Sequence, residues 1–524
     1  MTFLEKKDSA FWLLTAAAVL GVSITLLELI FSADLYRDVA NVYACMARSL
    51  ANGEYSEAFH PSIPSLNVIL AQPFIFLGMS PAKALVAVSS LFYLATVPFM
   101  YMFLKSFVPK TPAAFGALLF VCAAKIIRFS CAGLIDSGKI FFMVVGLFFA
   151  VRMIEEKFRS YASALWFGVA LGGLSLARSE GVGNAVMLFG CVVIYWICLM
   201  IREKRLMPIP PFLAVVVVWA AVASLRMLTN WRFCGQFIFD SRIKFLAFGL
   251  PQRPAPVSVE AATSTASAAS AAPPPPVVAD NTAVWWDCLN SFIRGTSEVY
   301  FGFVMVGLLL LVLAACGGKL SVLWPDKKIP DFFKWRGFYL ILLVLAVGNT
   351  AMFTILHLVG YRYFLPNIPL LMLFVVVAAY WLWSWTEKFF PRPLRIVCGM
   401  AVAILLAFQV VNGIENTFSA FSRRQKRSGV AAGDIMRRSK PDGKVWFVPQ
   451  ACIEWYHSGM RRAVPIEGAL PDLRNFDQFD FVLLGTDKED AETWIIAARR
   501  DLEEIPLASD STVRLFRKRS GEVK

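Results

Sequence analysis

Apolar runs of bilayer-spanning length recur along this chain, beginning near residues 10, 63, 82, 113, 138, 161, 182, 211, 297, 337, 363 and 396. About 20 apolar residues cross a hydrocarbon core as a helix, and backbone polar groups in lipid must be satisfied inside the segment. Repeated runs of that length therefore restrict the chain to an α-helical multi-spanning membrane protein. Composition agrees, since 58% of the 524 residues are hydrophobic and 14% aromatic, far above a soluble domain. The net charge of +14 does not point to nucleic acid, because Lys and Arg fall mostly in short connections between runs, where they set topology. The ten cysteines contain no CxxC pair, and Cys122, Cys191, Cys198, Cys316 and Cys398 lie inside apolar runs as small packing residues,. Lys6 and Lys7 precede a first run that no small-x-small site closes near Phe31, so an uncleaved first span is expected,.

The run from 63 to 80 is the exception. It carries Asn67, Gln72 and Pro73 and is bracketed by Pro61, Pro64 and Pro81, which suits an interfacial or re-entrant helix rather than a span. Leaving it out gives about eleven spans. One set of connections then holds Lys6 and Lys7; Lys105 and Lys110; Arg152, Lys157 and Arg159; Arg202, Lys204 and Arg205; the 319–336 group; and Lys388, Arg392 and Arg395. The opposite connections keep only Arg37, Arg48, Arg128, Lys139, Arg178 and Arg362. This is the asymmetry of the positive-inside rule, with the N-terminus cytoplasmic and the C-terminus extracytoplasmic, as in a bacterial inner membrane.

The outer face accordingly receives a first loop over about 31–81, a short loop at Asp136, a turn at Arg178 to Gly181, a long loop over about 229–296, a turn at His357 to Arg362, and the tail. Residues 252–284 of the long loop are Ala-, Ser-, Thr- and Pro-rich, with too few large apolar groups to fold,. Cys234 and Cys288 flank them. A disulfide closing the loop and two separate thiols are both open readings. The transmembrane part covers 1–412 and the tail 413–524. Within the tail, Lys444 to Val448, Phe479 to Leu484 and Thr512 to Phe516 read as strands and Ala491 to Leu502 as a helix, a small soluble α/β domain.

The ionisable residues that are hard to explain all fall on that outer face. Arg362, in His357-Leu-Val-Gly-Tyr-Arg-Tyr-Phe-Leu-Pro366, sits between two apolar stretches and demands an anionic partner; guanidinium matches phosphate bidentately. Its structural alternative is an interfacial anchor beside Tyr361 and Tyr363. In the first loop, Asp34 and Asp38 precede Tyr43. A carboxylate there can accept a proton from an attacking hydroxyl or hold a divalent cation that activates it, whereas structurally Asp34 would cap a helix and Asp38 pair with Arg37 or Arg48. Asp136 opens the fourth span, where a helix N-terminus favours an acid without any function. Arg178 and Glu180, in Leu176-Ala-Arg-Ser-Glu-Gly181, either pair with each other or line a polar cavity. His60, His357 and His457 are isolated and assign no metal. GxxxxGK[ST], GxSxG, HExxH and dinucleotide-binding patterns are absent,. An activated substrate therefore has to arrive in the membrane.

In order, these features are Arg37-Asp38, Tyr43, Met46-Ala-Arg48 and Gly53-Glu-Tyr55, the Pro-bracketed helix, Asp136, Leu176 to Gly181, Tyr361-Arg-Tyr-Phe-Leu-Pro366 and a soluble tail. This order resembles the GT-C superfamily of polyprenyl-phosphate-sugar-dependent glycosyltransferases, which includes bacterial mannosyl- and aminoarabinosyl-transferases. The resemblance covers most of residues 1–385 and rests on order, since each motif is short. It implies that Asp38 is the catalytic acid of the first loop, Asp136 its second-loop partner and Arg362 a binder of the lipid phosphate, with Tyr43, Tyr361, His60, Arg178 and Glu180 around the substrates. Many relatives place adjacent Asp-Glu four residues before the tyrosine; here a lone Asp38 lies five before Tyr43, so Asp34 stays a rival. The implied donor is a polyprenyl-phosphate sugar and the acceptor a glycan, lipid or protein hydroxyl. A lipid or solute transporter with an outward polar cavity is the alternative, and it requires polar residues continuing toward the cytoplasmic side.

Overall fold

A computed structural model describes residues 7–31, 39–61, 63–204, 207–239, 298–315, 348, 365–418 and, beyond 431, short segments that include five strands. Eleven of the apolar runs are helices. They comprise α1 (Lys7–Phe31), α4 (Leu66–Phe76), α5 (Pro81–Lys105), the pair α6 (Lys110–Cys122) and α7 (Ala124–Cys131), and α8 (Asp136–Glu155). They continue with α9 (Tyr161–Ala177), α10 (Gly181–Glu203), α11 (Pro210–Cys234), α12 (Glu298–Ala315), α13 (Ile368–Phe389) and α14 (Arg392–Phe418). A π-helical turn (Val39–Tyr43) and the short helices α2 (Ala44–Ala51) and α3 (Tyr55–Ala58) precede α4. Among the described residues seven helices are long and apolar enough to cross a membrane, or eight if the bent α6–α7 pair counts as one. The run from 337 lies outside the described residues. The expectation for 63–80 holds: α4 has 11 residues, about 16 Å of rise against a core of about 30 Å.

Contacts at the helix ends sort the connections onto two faces. On one, Ser9 on α1 hydrogen-bonds Thr111 on α6 at 3.1 Å, Lys157 pairs with Glu203 at 3.7 Å, and Phe158 stacks on Phe212. Those connections carry the basic groups. On the other, Asn67 donates to the Leu134 carbonyl at 3.4 Å, Phe59 and Tyr55 stack on Phe233, and Cys234 donates to the Phe59 carbonyl at 3.5 Å. The first loop, the Asp136 loop and the end of α11 thus meet at one end of the bundle. Cys288 lies outside the described residues.

No proline marks the 60° break between α6 and α7; Ala123 is simply extended there. Carbonyls at such a break lose helical donors in a region without water. Two tyrosines replace them: Tyr93 on α5 donates to Val121 O at 2.8 Å and Tyr300 on α12 to Leu119 O at 3.1 Å. Elsewhere small residues allow close helix approach. A Cβ at Gly172 of α9 would collide with Val222 of α11, and one at Gly173 with Phe142 of α8, so α9 lies pressed between its neighbours.

Beyond residue 443 the described strands β1 (Lys444–Phe447), β2 (Arg461–Arg462), β3 (Phe481–Gly485), β4 (Leu502–Ile505) and β5 (Val513–Lys518) form one sheet in the order β2-β1-β3-β5-β4. β1 is parallel to β2 and β3, and β5 is antiparallel to β3 and β4. The three expected strands are present. Leu502, expected to end a helix, instead begins β4, where Glu503 and Glu504 pair with Arg517 and Phe516; the stretch before it lies outside the described residues.

Candidate functional site

Gly133 turns the chain between α7 and α8 at φ +74, a left-handed conformation that glycine adopts without strain. Its N–H donates to the Ser89 hydroxyl of α5 at 3.1 Å. A Cβ there would stand 3.4 Å from side-chain atoms of both Val39 and Val86. Asp136 then enters the first turn of α8, where the helix dipole favours a carboxylate,. Asn67 reaches this loop from α4 through Leu134, which fastens α4 to the α8 N-terminus.

The second component is the Arg178–Gly181 turn. With 17 residues, α9 rises only about 25 Å, so the turn after it is not carried clear of the bundle and its charges need partners. Gly181 closes the turn by donating to Arg178 O at 3.0 Å, and a Cβ there would collide with the Leu174 carbonyl. Only glycine permits this approach of α10 to the last turn of α9.

Together the two components form a buried chain of four charges. Arg178 Nη1 donates to Asp136 Oδ1, and Arg178 Nε forms an ion pair with Glu180. Lys139 Nζ, one helical turn after Asp136, donates to Glu180 Oε1 at 3.3 Å. Side-chain exposure is 1% for both Asp136 and Lys139, 9% for Glu180 and 11% for Arg178. Two carboxylates and two cations cancel, which is what allows so much charge to be buried. Burial alone would push the Glu180 carboxyl up, but Arg178 and Lys139 outweigh it and hold it at about 2,. Of the two readings for Arg178 and Glu180, mutual pairing is observed, extended to Asp136 and Lys139.

Of the expected site residues, the structure gathers Asp136, Arg178 and Glu180. Tyr43 is buried in the apolar core at the end of the π-helical turn, and His60 forms a bridge with Ile63 just before α4. Asp34, Asp38, Tyr361 and Arg362 lie outside the described residues; Val39, next to Asp38, is completely buried and packs toward Gly133 of the Asp136 loop. Two participants, Lys139 and Asn67, were read in the sequence only as topology markers. The i, i+3 spacing of Asp136 and Lys139 was the available signal, since it places both on one helix face. Among the described residues no three or more His, Cys, Asp or Glu side chains gather in the manner of a metal site.

No protein-family profile and no curated protein matches the sequence. Solved structures do. The chain is similar to ArnT from Cupriavidus metallidurans bound to undecaprenyl phosphate, with TM-score 0.56, 14% identity, 96% of this chain and 98% of that one covered. It is also similar to the Archaeoglobus fulgidus oligosaccharyltransferase tethered to an acceptor peptide, with TM-score 0.55, 12% identity and 99% and 74% covered. The mycobacterial arabinofuranosyltransferase AftD aligns with TM-score 0.50, 11% identity and 97% and 40% covered. The helical body that brings the first loop, Asp136 and Arg178 to one end of the bundle therefore has the GT-C fold of these membrane glycosyltransferases.

Proposed function

We propose that the chain is a membrane glycosyltransferase that moves a sugar from a polyprenyl-phosphate donor to an acceptor hydroxyl at the extracytoplasmic face. The observation that carries this reading is the neutralised quartet of Asp136, Lys139, Arg178 and Glu180 at the end where the first loop packs, in a bundle aligned along nearly its whole length with a transferase bound to undecaprenyl phosphate. Among the described residues the buried charged side chains, Glu28, Asp136, Lys139 and Arg226, all lie toward that end of their helices. A transport path would need such groups to continue to the opposite face.

In the proposed reaction Asp38, or Asp34 in its place, accepts the proton of the acceptor hydroxyl. The acceptor oxygen bonds to the anomeric carbon as the bond from that carbon to the phosphate oxygen breaks, and polyprenyl phosphate leaves with the electron pair. A single in-line displacement inverts the anomeric configuration. Arg362 stabilises the charge developing on the leaving phosphate, and Asp136, fixed by Arg178, supports the first loop from the side on which Val39 packs. Tyr43, Tyr361 and His60 complete the surroundings of the substrates. The basic connections face the cytoplasm and the C-terminal sheet the opposite compartment.

The test is to incubate the purified protein with a panel of hexosyl and pentosyl polyprenyl phosphates and measure release of the lipid phosphate. Asp38→Asn is expected to fold normally and to lose transfer by at least about a hundredfold, and Arg362→Ala to raise the donor KM. Undiminished transfer by a well-folded Asp38→Asn protein removes the assignment.

A further inference from the structure

Lys139 is placed where three effects oppose a cation. It is 1% exposed, it stands in the first turn of α8, where the helix dipole repels positive charge, and the Arg178 guanidinium is among the charges acting on it, the others being Glu180 and Asp136. A residue retained at such a position needs a compensating partner, and Glu180 at 3.3 Å is that partner. Glu180 also forms an ion pair with Arg178 Nε, while Arg178 Nη1 holds Asp136. Among the described residues the chain runs Asp136–Arg178–Glu180–Lys139, and both Arg178 and Glu180 meet two opposite charges. Without Lys139, Glu180 and Asp136 would both draw on the Arg178 guanidinium.

We infer that Lys139 is a positioning residue: by sharing Glu180 with Arg178 it lets the guanidinium also hold and orient Asp136. The inference rests on the transferase reading for its link to catalysis, while the charge coupling stands on the geometry alone. Lys139 has no contact with substrate in this role. Its loss changes how the Asp136 carboxylate is held, and so acts on the chemical step rather than on donor capture.

The experiment compares the full chain with Lys139→Met and with the double variant Lys139→Met/Glu180→Gln, all in nanodiscs. Transfer kcat, donor KM and the thermal unfolding midpoint are measured. Lys139→Met is expected to lose at least about tenfold in kcat with donor KM changed by less than about threefold. The double variant, in which Asp136 no longer competes with the Glu180 carboxylate for Arg178, is expected to regain at least about threefold of the lost kcat. Wild-type kcat in a folded Lys139→Met protein overturns the inference, as does a double variant no better than the single one. Should Lys139→Met fail to fold, the double variant decides: a folded, active double variant supports the coupling, and an unfolded one overturns it. If the unmodified protein transfers no sugar from any donor, the transferase reading fails separately. The coupling is then judged by whether Glu180→Gln at least halves the fall in unfolding midpoint caused by Lys139→Met.

Discussion

At the Arg178–Gly181 turn, burial and charge act in opposite directions on Glu180, and charge prevails. Its carboxyl is held at about 2 against an ordinary value of 4.5. A carboxylate depressed on folding stabilises the protein above its unfolded value, and the contribution is lost as pH falls through the folded value. Stability is therefore expected to be flat from pH 7 to about 5 and to decline between about 4.5 and 2 as this group is protonated. Glu180→Gln should flatten that decline in unfolding measurements made across the same range. Gly181 fails for a different reason. Alanine there meets the Leu174 carbonyl, and overpacking of this kind costs about 1–3 kcal/mol or more. Gly181→Ala is expected to lower the unfolding midpoint and to weaken transfer, because the same turn carries Arg178 and Glu180; an unchanged midpoint would show that the turn relaxes. The sequence alone marked Arg178, Glu180 and Asp136 as ionisable residues that are hard to explain at an apolar boundary. It did not indicate Lys139, since a lysine at a loop edge looks the same whether it faces water or a buried glutamate.

At the scale of helices, the break between α6 and α7 depends on donors from elsewhere in the chain. Tyr93 and Tyr300 supply hydroxyls to Val121 and Leu119 from 28 and 181 residues away. Tyr93→Phe and Tyr300→Phe are each expected to destabilise the protein by about 0.5–2 kcal/mol, the span for hydrogen bonds between membrane helices. Unfolding in a detergent titration checks this; a variant with an unaltered midpoint indicates that the freed carbonyl finds another donor. The hydropathy of 113–131 reads as one span because break and helix have the same composition, so the bend was not legible. The short α4 was, because its prolines and amides shorten the apolar run. The extra strands β2 and β4 were missed because two and four residues are too few for a period-2 pattern to register.

For the whole molecule, ends that share contacts also share a charge class. The Ser9–Thr111, Lys157–Glu203 and Phe158–Phe212 contacts join the lysine- and arginine-rich connections, and the quartet lies at the opposite face. Alkaline phosphatase fused after Glu415 is expected to be active in a bacterial host, and the same reporter fused after Ser106 inactive. The reverse pattern would invert the proposed orientation and place the quartet in the cytoplasm.

The membrane class, the exclusion of 63–80 as a span and the partition of basic connections were determined by the sequence itself. Hydropathy and charge are properties of contiguous segments, and lipid acts on each segment directly. Which charge neutralises which was decided only by the tertiary structure. Asp136 and Arg178 are 42 residues apart and Lys139 and Glu180 are 41, and they meet because small residues let α9 approach α8 and α11 closely. Ionic pairing in a bundle depends on helix packing and rotation to within a few ångströms, and no local pattern encodes those.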